Sequence, residues 1–257
     1  MTPVTNASAD QRRALAQIAE TTRLLGVDFL PISASTTSKA AATPAREPAA
    51  PARSQSPDPS LPRSPSTSKA AALAALRAEH DASCPHCTTV TYHTQTVFGD
   101  GDPDARLMFI GEAPGAEEDR QGIPFVGASG KKLNEMIIAM GLSRETVYIA
   151  NVLKSRPPDN ATPTPDEAAK CGPYLLRQIQ IIKPAVIVTL GKPAANFLLE
   201  NRDSMTSMRG RWFEHHGIPV MPTFHPAYLL RAYTPENRQK VWSDLKAAIA
   251  KLNEAAD

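Results

Sequence analysis

The chain has 257 residues, 42% of them hydrophobic and 21% charged, and a formal net charge of +2, so a real core is affordable and no bulk polycation is present. No apolar run reaches the ~18–20 residues of a membrane span, and three cysteines are too few, and odd in number, for a disulfide framework. The opening residues MTPVTNASADQRR lack an apolar signal-peptide core, so a reducing, cytoplasmic setting is expected.

In chain order, residues 10–25 show helical periodicity, with Leu15, Ile18, Leu24 and Leu25 near one stripe and Gly26 as a stop. A short helix within 1–30 is expected there, either a docking element for a protein partner or a weakly ordered segment. Over 31–68, 29 of 38 residues are Pro, Ser, Thr or Ala. Such a segment buries too little apolar surface to offset its ordering entropy, so 31–75 is assigned to a disordered linker. What remains, 76–257, has the size of a single domain and is expected to be a monomer. The first 75 residues hold eight basic and five acidic residues, leaving twenty basic and twenty-one acidic residues for the rest. Any nucleic-acid contact must therefore be a local patch. One candidate is 201–240, where Arg202, Arg209, Arg211, Arg231, Arg238 and Lys240 face three acids.

Residues 69–80 (KAAALAALRAEH) have the composition of a helix. Four apolar runs follow, at 106–111 (RLMFIG), 147–153 (VYIANVL), 185–191 (AVIVTLG) and 218–224 (IPVMPTF). Helical stretches lie between and after them, at 129–140, 165–183, 192–200 and 235–255, with Pro165 and Pro235 suited to first turns. Near-continuous apolar strands alternating with helices predict an α/β fold: three layers, α/β/α, around a central four-stranded parallel sheet. In such a sheet the chemistry gathers beyond the carboxyl ends of the strands.

The first strand runs into Gly111, Glu112, Ala113, Pro114 and Gly115, followed by Glu117, Glu118 and Asp119, then by the apolar patch Pro124-Phe125-Val126. A carboxylate beside an aromatic ring suits a planar polar ring and a positioned water. The second strand ends at Asn151, whose amide both donates and accepts, matching the amide edge of a pyrimidine; a turn-capping Asn looks the same. The fourth ends in His225-Pro226, then Ala227, Tyr228, Leu229, Leu230 and Arg231. Apolar residues beside a cation suit a wedge entering a base stack next to phosphates, although a helix start has the same composition.

Together, GEAPGAEEDRQGIPFVGASG, NVLKSRPPDNATPTPDEAAKC and PTFHPAYLLR, in this order, resemble the family 4 uracil-DNA glycosylases over about residues 84–231. The resemblance implies excision of uracil from DNA by base flipping, because the glycosidic bond is unreachable within the stack. It implies that Glu112, Glu118 and His225 are catalytic, the acids holding uracil or polarising water and the histidine facing uracil O2. Gly111, Ala113, Phe125 and Asn151 would bind uracil, and Tyr228, Leu229, Leu230 and Arg231 would contact DNA. The implied partner is uracil-containing DNA, with no membrane and no organic cofactor.

That family carries four cysteines on a structural [4Fe–4S] cluster. Cys84, Cys87 and Cys171 match three of them, and the fourth position is Ser155. A cluster with Ser155, another group or water on the fourth iron, a zinc ion on the three cysteines with His86, and no metal are the alternatives; the third cysteine at the family position favours the cluster. Relatives that trap uracil-DNA covalently have a basic, His-containing insert after this segment. Residues 154–160 (KSRPPDN) contain no His, which favours turnover over a trapping or non-catalytic DNA-binding relative.

Overall fold

The computed structural model describes residues 65–255. The helix expected at 10–25 and the linker up to residue 64 lie outside them. The described residues form eight α-helices and six strands. Helix α1 spans Pro65–Ser83, strand β1 Asp100–Gly101, β2 Leu107–Gly111, α2 Ala116–Gln121 and α3 Ala128–Ala139. Strand β3 spans Tyr148–Asn151, α4 Pro165–Ile182, β4 Val186–Leu190 and α5 Lys192–Leu199. They are followed by α6 Met205–Met208, β5 Phe213–His215, β6 Ile218–Thr223, α7 Pro226–Arg231 and α8 Pro235–Glu254.

The sheet is mixed and six-stranded, ordered β1-β3-β2-β4-β6-β5, rather than four-stranded and wholly parallel as the sequence suggested. Strands β3, β2, β4 and β6 are the four apolar runs and pair in parallel. The two additions are antiparallel edges. Strand β1 has two residues and β5 three, too short to impose a period on the sequence. β5 turns into β6 through His216 and Gly217, both at positive φ (48° and 82°), the conformation a two-residue hairpin needs.

Alternation along the strands fills two cores. Leu107, Phe109, Val186, Val188 and Met221 pack on one face with α3 and α8. Met108, Ile110, Ile187 and Val220 pack on the other with α1, α4 and α5. Helices thus cover both faces, as buried parallel strands require. Helix α4 starts at a capping box: the Thr164 hydroxyl accepts from the Glu167 N–H at 3.3 Å, and the Glu167 carboxylate accepts from the Thr164 N–H at 2.8 Å.

Helix α1 begins inside the stretch whose composition assigned it to the linker. Leu73 and Leu76 are buried, and Lys69 reaches the Ile182 carbonyl at 2.9 Å, so the folded unit includes residues 65–75. The Ala and Leu content of this stretch outweighs its Ser and Thr once α4 offers an apolar face. Among the described residues no helix is long and apolar enough to cross a membrane.

Because β3 and β4 lie on opposite sides of β2, the chain reverses its direction of winding there, which opens a crevice beyond the carboxyl ends of the strands.

Candidate active site

A cleft of about 700 Å³ occupies that crevice, and each parallel strand delivers residues to it. Gly111 and Asn151 are partners in the β2–β3 register, so the first loop and the Asn side chain start level. Pairing continues past the strand ends through Val152 N–H to Gly111 O (3.0 Å) and Leu153 N–H to Glu112 O (3.1 Å). A Cβ on Gly111 would lie 2.3 Å from Asn151 Oδ1 and 2.5 Å from Phe125 Cζ, so only glycine admits both side chains to this corner.

Asn151 is 1% exposed, and its Oδ1 is buried with no hydrogen-bond partner. Such an acceptor is costly in a folded chain unless a ligand satisfies it. Phe125 lies beside it with φ 52°, a left-handed conformation that a bulky residue rarely adopts. Its backbone is held from two sides. Arg144 donates to Phe125 O at 3.0 Å and to Pro124 O, while its Nε pairs with Asp100 at 3.0 Å. Across from it Gly130 packs so closely that a Cβ there would stand 1.9 Å from Phe125 O.

Glu118 is buried at the start of α2, and backbone donors hold both of its carboxylate oxygens. Gly115 N–H reaches Oε2 at 3.1 Å; Val126 and Gly127 N–H reach Oε1 at 2.9 and 2.8 Å. The side chain ties the loop after β2 to the Phe125 loop. Glu112 lines the cleft with its carboxyl pushed up by burial, against a hydrogen bond with Thr162 that lowers it. Ala113 and Gly115 complete that wall.

His225 caps α7. Its Nδ1 accepts from the Ala227 N–H at 3.1 Å, which leaves the proton of the neutral ring on Nε2. Burial, then the charge of Arg231, pushes the imidazole down to about 4, against the opposing pull of Glu118. The Phe125 and His225 rings lie 5.6 Å apart, centroid to centroid.

The residues expected at DNA divide. Tyr228 and Arg231 line the cleft, and Leu230 is 45% exposed beside them. Leu229 is 1% exposed and packs in the core under α7, so it is no part of the wedge. In a helix adjacent leucines point about 100° apart, so Leu229 turns inward while Leu230 stays at the surface, which a loop reading misses. The basic patch divides too. Arg209 is committed to buried Asp244 at 2.7 Å, and Lys240 pairs with Glu236 one turn earlier.

A second cluster lies apart from the cleft lining. Cys84, Cys87 and Cys171 are free and buried. With buried His80 they offer four ligand atoms within 4.8 Å of one another. Ser155 lies beside them, its Oγ accepting from Cys87 Sγ at 3.4 Å, whereas His86 is outside the group. His80 is the residue sequence reasoning missed, having been read as the end of a helix. The spacing His80-x3-Cys84-x2-Cys87 was the available signal, since it puts the imidazole one helical turn before the CxxC pair. Arg144 and Gly130 were missed as well, and nothing in the local sequence marks Arg144 as a partner of carbonyls 19 and 20 residues before it, or Gly130 as the close neighbour of Phe125.

The family model of the uracil DNA glycosylase superfamily matches residues 98–246. A type-4 uracil-DNA glycosylase of Thermotoga maritima is 47% identical over 169 residues, 64% of this chain and 87% of the relative. Those of Sulfurisphaera tokodaii and Archaeoglobus fulgidus are 46% and 45% identical, over 64% of this chain and 78% and 85% of their own lengths.

Proposed function

The chain belongs to the uracil-DNA glycosylase superfamily and, within it, to the type-4 enzymes, and on that premise we propose that it hydrolyses the N-glycosidic bond of deoxyuridine in DNA, releasing uracil and leaving an abasic site. The observation that supports this most directly is the buried, unpartnered Oδ1 of Asn151 at the cleft. A flipped uracil presents an N3–H donor to that oxygen and an O4 acceptor to the adjacent amide N–H.

In this reading Phe125 is the surface on which the base stacks, and Gly111 keeps the corner open. His225 donates its Nε2–H to uracil O2. Cleavage moves negative charge onto the departing base, and a preorganised neutral donor that need not lose a proton stabilises it. Glu112, with its raised carboxyl, orients the attacking water and, once ionised, favours the positive charge developing on the sugar. Glu118 acts indirectly, by fixing the two loops that carry Gly115 and Phe125. Tyr228, Leu230 and Arg231 meet the DNA around the extruded nucleotide, the leucine at the stack and the arginine at phosphate. Cys84, Cys87 and Cys171 would hold an iron–sulfur cluster, which would cross-link the turn after α1 to α4 and leave the chemistry at the base to other residues.

Purified full-length protein incubated with an oligonucleotide containing one uracil tests the assignment. Free uracil and an alkali-labile strand are expected over several turnovers. Folded protein in excess that yields no uracil would overturn it, and a stoichiometric covalent adduct would replace hydrolysis with trapping.

A further inference from the structure

We propose that His80 is the fourth ligand of a metal centre whose other ligands are Cys84, Cys87 and Cys171, its imidazole taking the place of the thiolate that Ser155 does not supply. The inference deepens the cluster reading above but does not depend on the metal being iron.

Four observations lead to it. The ligand atoms of these residues all lie within 4.8 Å of one another, and all four residues are buried. Cys87 Sγ and Cys171 Sγ are 3.7 Å apart, close to the ~3.8 Å that two thiolates adopt on one tetrahedral ion with ~2.3 Å bonds. The imidazole is oriented for the task. Its Nδ1 is 2.8 Å from Asp81 Oδ1, and its Nε2 is directed at the thiols, 4.0 Å from Cys171 Sγ. Asp81 is itself fixed by the Thr96 hydroxyl at 2.7 Å. A carboxylate on the far nitrogen is the arrangement that sets the tautomer and raises the basicity of a metal-bound histidine. Finally, Ser155 is a poor candidate. A serine hydroxyl ionises far less readily than a thiol, and here its oxygen accepts from the Cys87 thiol.

Three thiolates and one imidazole suit a thiophilic metal centre. Zinc takes this set directly, and imidazole replaces thiolate on iron in some iron–sulfur centres. The experiment separates the two. Full-length protein is produced with iron and zinc both supplied, purified anaerobically and treated with a mild chelator; iron, zinc and acid-labile sulfide are then counted per chain. The wild type is expected to hold about one zinc, or about four irons with as many sulfides. His80→Ala should lose at least roughly tenfold in retained metal, as ligand-set damage does. His80→Cys should keep it, and Ser155→Ala should match the wild type. If His80→Ala fails to fold, the ligand is read on the wild type, from nitrogen hyperfine coupling in the reduced cluster or from a three-sulfur, one-nitrogen shell in zinc X-ray absorption. Zinc in place of iron would end the cluster reading and leave His80 in its role. Metal retained in His80→Ala, metal lost in Ser155→Ala, a wild-type centre without nitrogen, or folded wild type without metal would each overturn the inference.

Discussion

The ammonium of Lys154 donates to the main-chain carbonyl of Asn151 at 2.8 Å, from a position with no solvent contact. The same Nζ donates to Gln178 Oε1 at 2.6 Å, and the Lys154 main-chain N–H reaches Cys171 Sγ at 3.2 Å. One residue therefore joins the backbone of Asn151, at the cleft, to α4 and to the cysteine cluster. Removing its charge while keeping its bulk, as in Lys154→Met, leaves two buried acceptors unpartnered. At about 1–3 kcal/mol each, a loss of roughly 2–6 kcal/mol in denaturant unfolding is expected, with weaker binding of uracil-containing DNA. Unchanged stability would mean that water replaces the ammonium without cost.

His225 gives a prediction with a defined pH window. Its folded-state value, about 4, lies below the 6.5 of an unfolded chain. The fold therefore favours the neutral ring, and the associated stability is complete above about pH 6.5. It is lost as the pH falls from there towards 4, because the unfolded state binds the proton first. His225→Ala should flatten that part of the stability profile. At neutral pH it should also slow single-turnover excision by roughly 10²–10³-fold, with little change in DNA affinity. An intact single-turnover rate would remove His225 from the chemistry.

Glu112 is expected to set the acid limb of the rate. Burial raises its carboxyl, so the ionised form required to orient water disappears at a higher pH than an ordinary glutamate would dictate. The single-turnover rate should therefore fall with decreasing pH through a value above 4.5. Glu112→Gln should be slow and lack that limb. If the limb persists in the variant, it belongs to another group.

Arg144 holds the left-handed Phe125 in place through two carbonyls and the Asp100 carboxylate. Lysine keeps the charge but cannot reproduce the fork. Arg144→Lys should raise KM for uracil-containing DNA by roughly tenfold, as expected when about 1.4 kcal/mol of positioning is lost, with a smaller effect on kcat. A fall in kcat alone would indicate that the loop positions reacting atoms rather than the base.

What was legible in the sequence follows the range of the physics. The four central strands and the long helices are stretches whose own periodicity or capping residues determine them, so they were readable. Glu112, Phe125, Asn151 and His225 line one cleft, as the convergence of strand ends in an α/β sheet leads one to expect, whereas the roles given to them came from the family resemblance. The short edges β1 and β5 were not, since their pairing depends on a neighbour already in place. Leu229 was misassigned because only the turn of α7 decides which leucine faces inward. His80 was hidden for a similar reason: its role rests on Cys171, 91 residues away.

The boundary of the folded unit provides the last test. Residues 65–75 were assigned to the linker, yet α1 packs against α4 through Leu73, which is 7% exposed, and Leu76. Lys69 adds a hydrogen bond to Ile182 O at the carboxyl end of α4, where a cation is favoured, and pairs with Asp104 at 3.0 Å. Burial of one leucine is worth about 1.5–3 kcal/mol, so the amino-terminal half of α1 is a substantial part of the domain's stability. A protein comprising 65–257 should match the full chain in uracil release from short oligonucleotides and in Tm. One comprising 77–257 loses both leucines and Lys69; it should unfold at lower temperature and retain less metal, because His80 then lies on a frayed helix and Cys84 directly after it. Equal Tm for the two truncations would restore the boundary near residue 76, and reduced activity in 65–257 would assign residues 1–64 a part in catalysis.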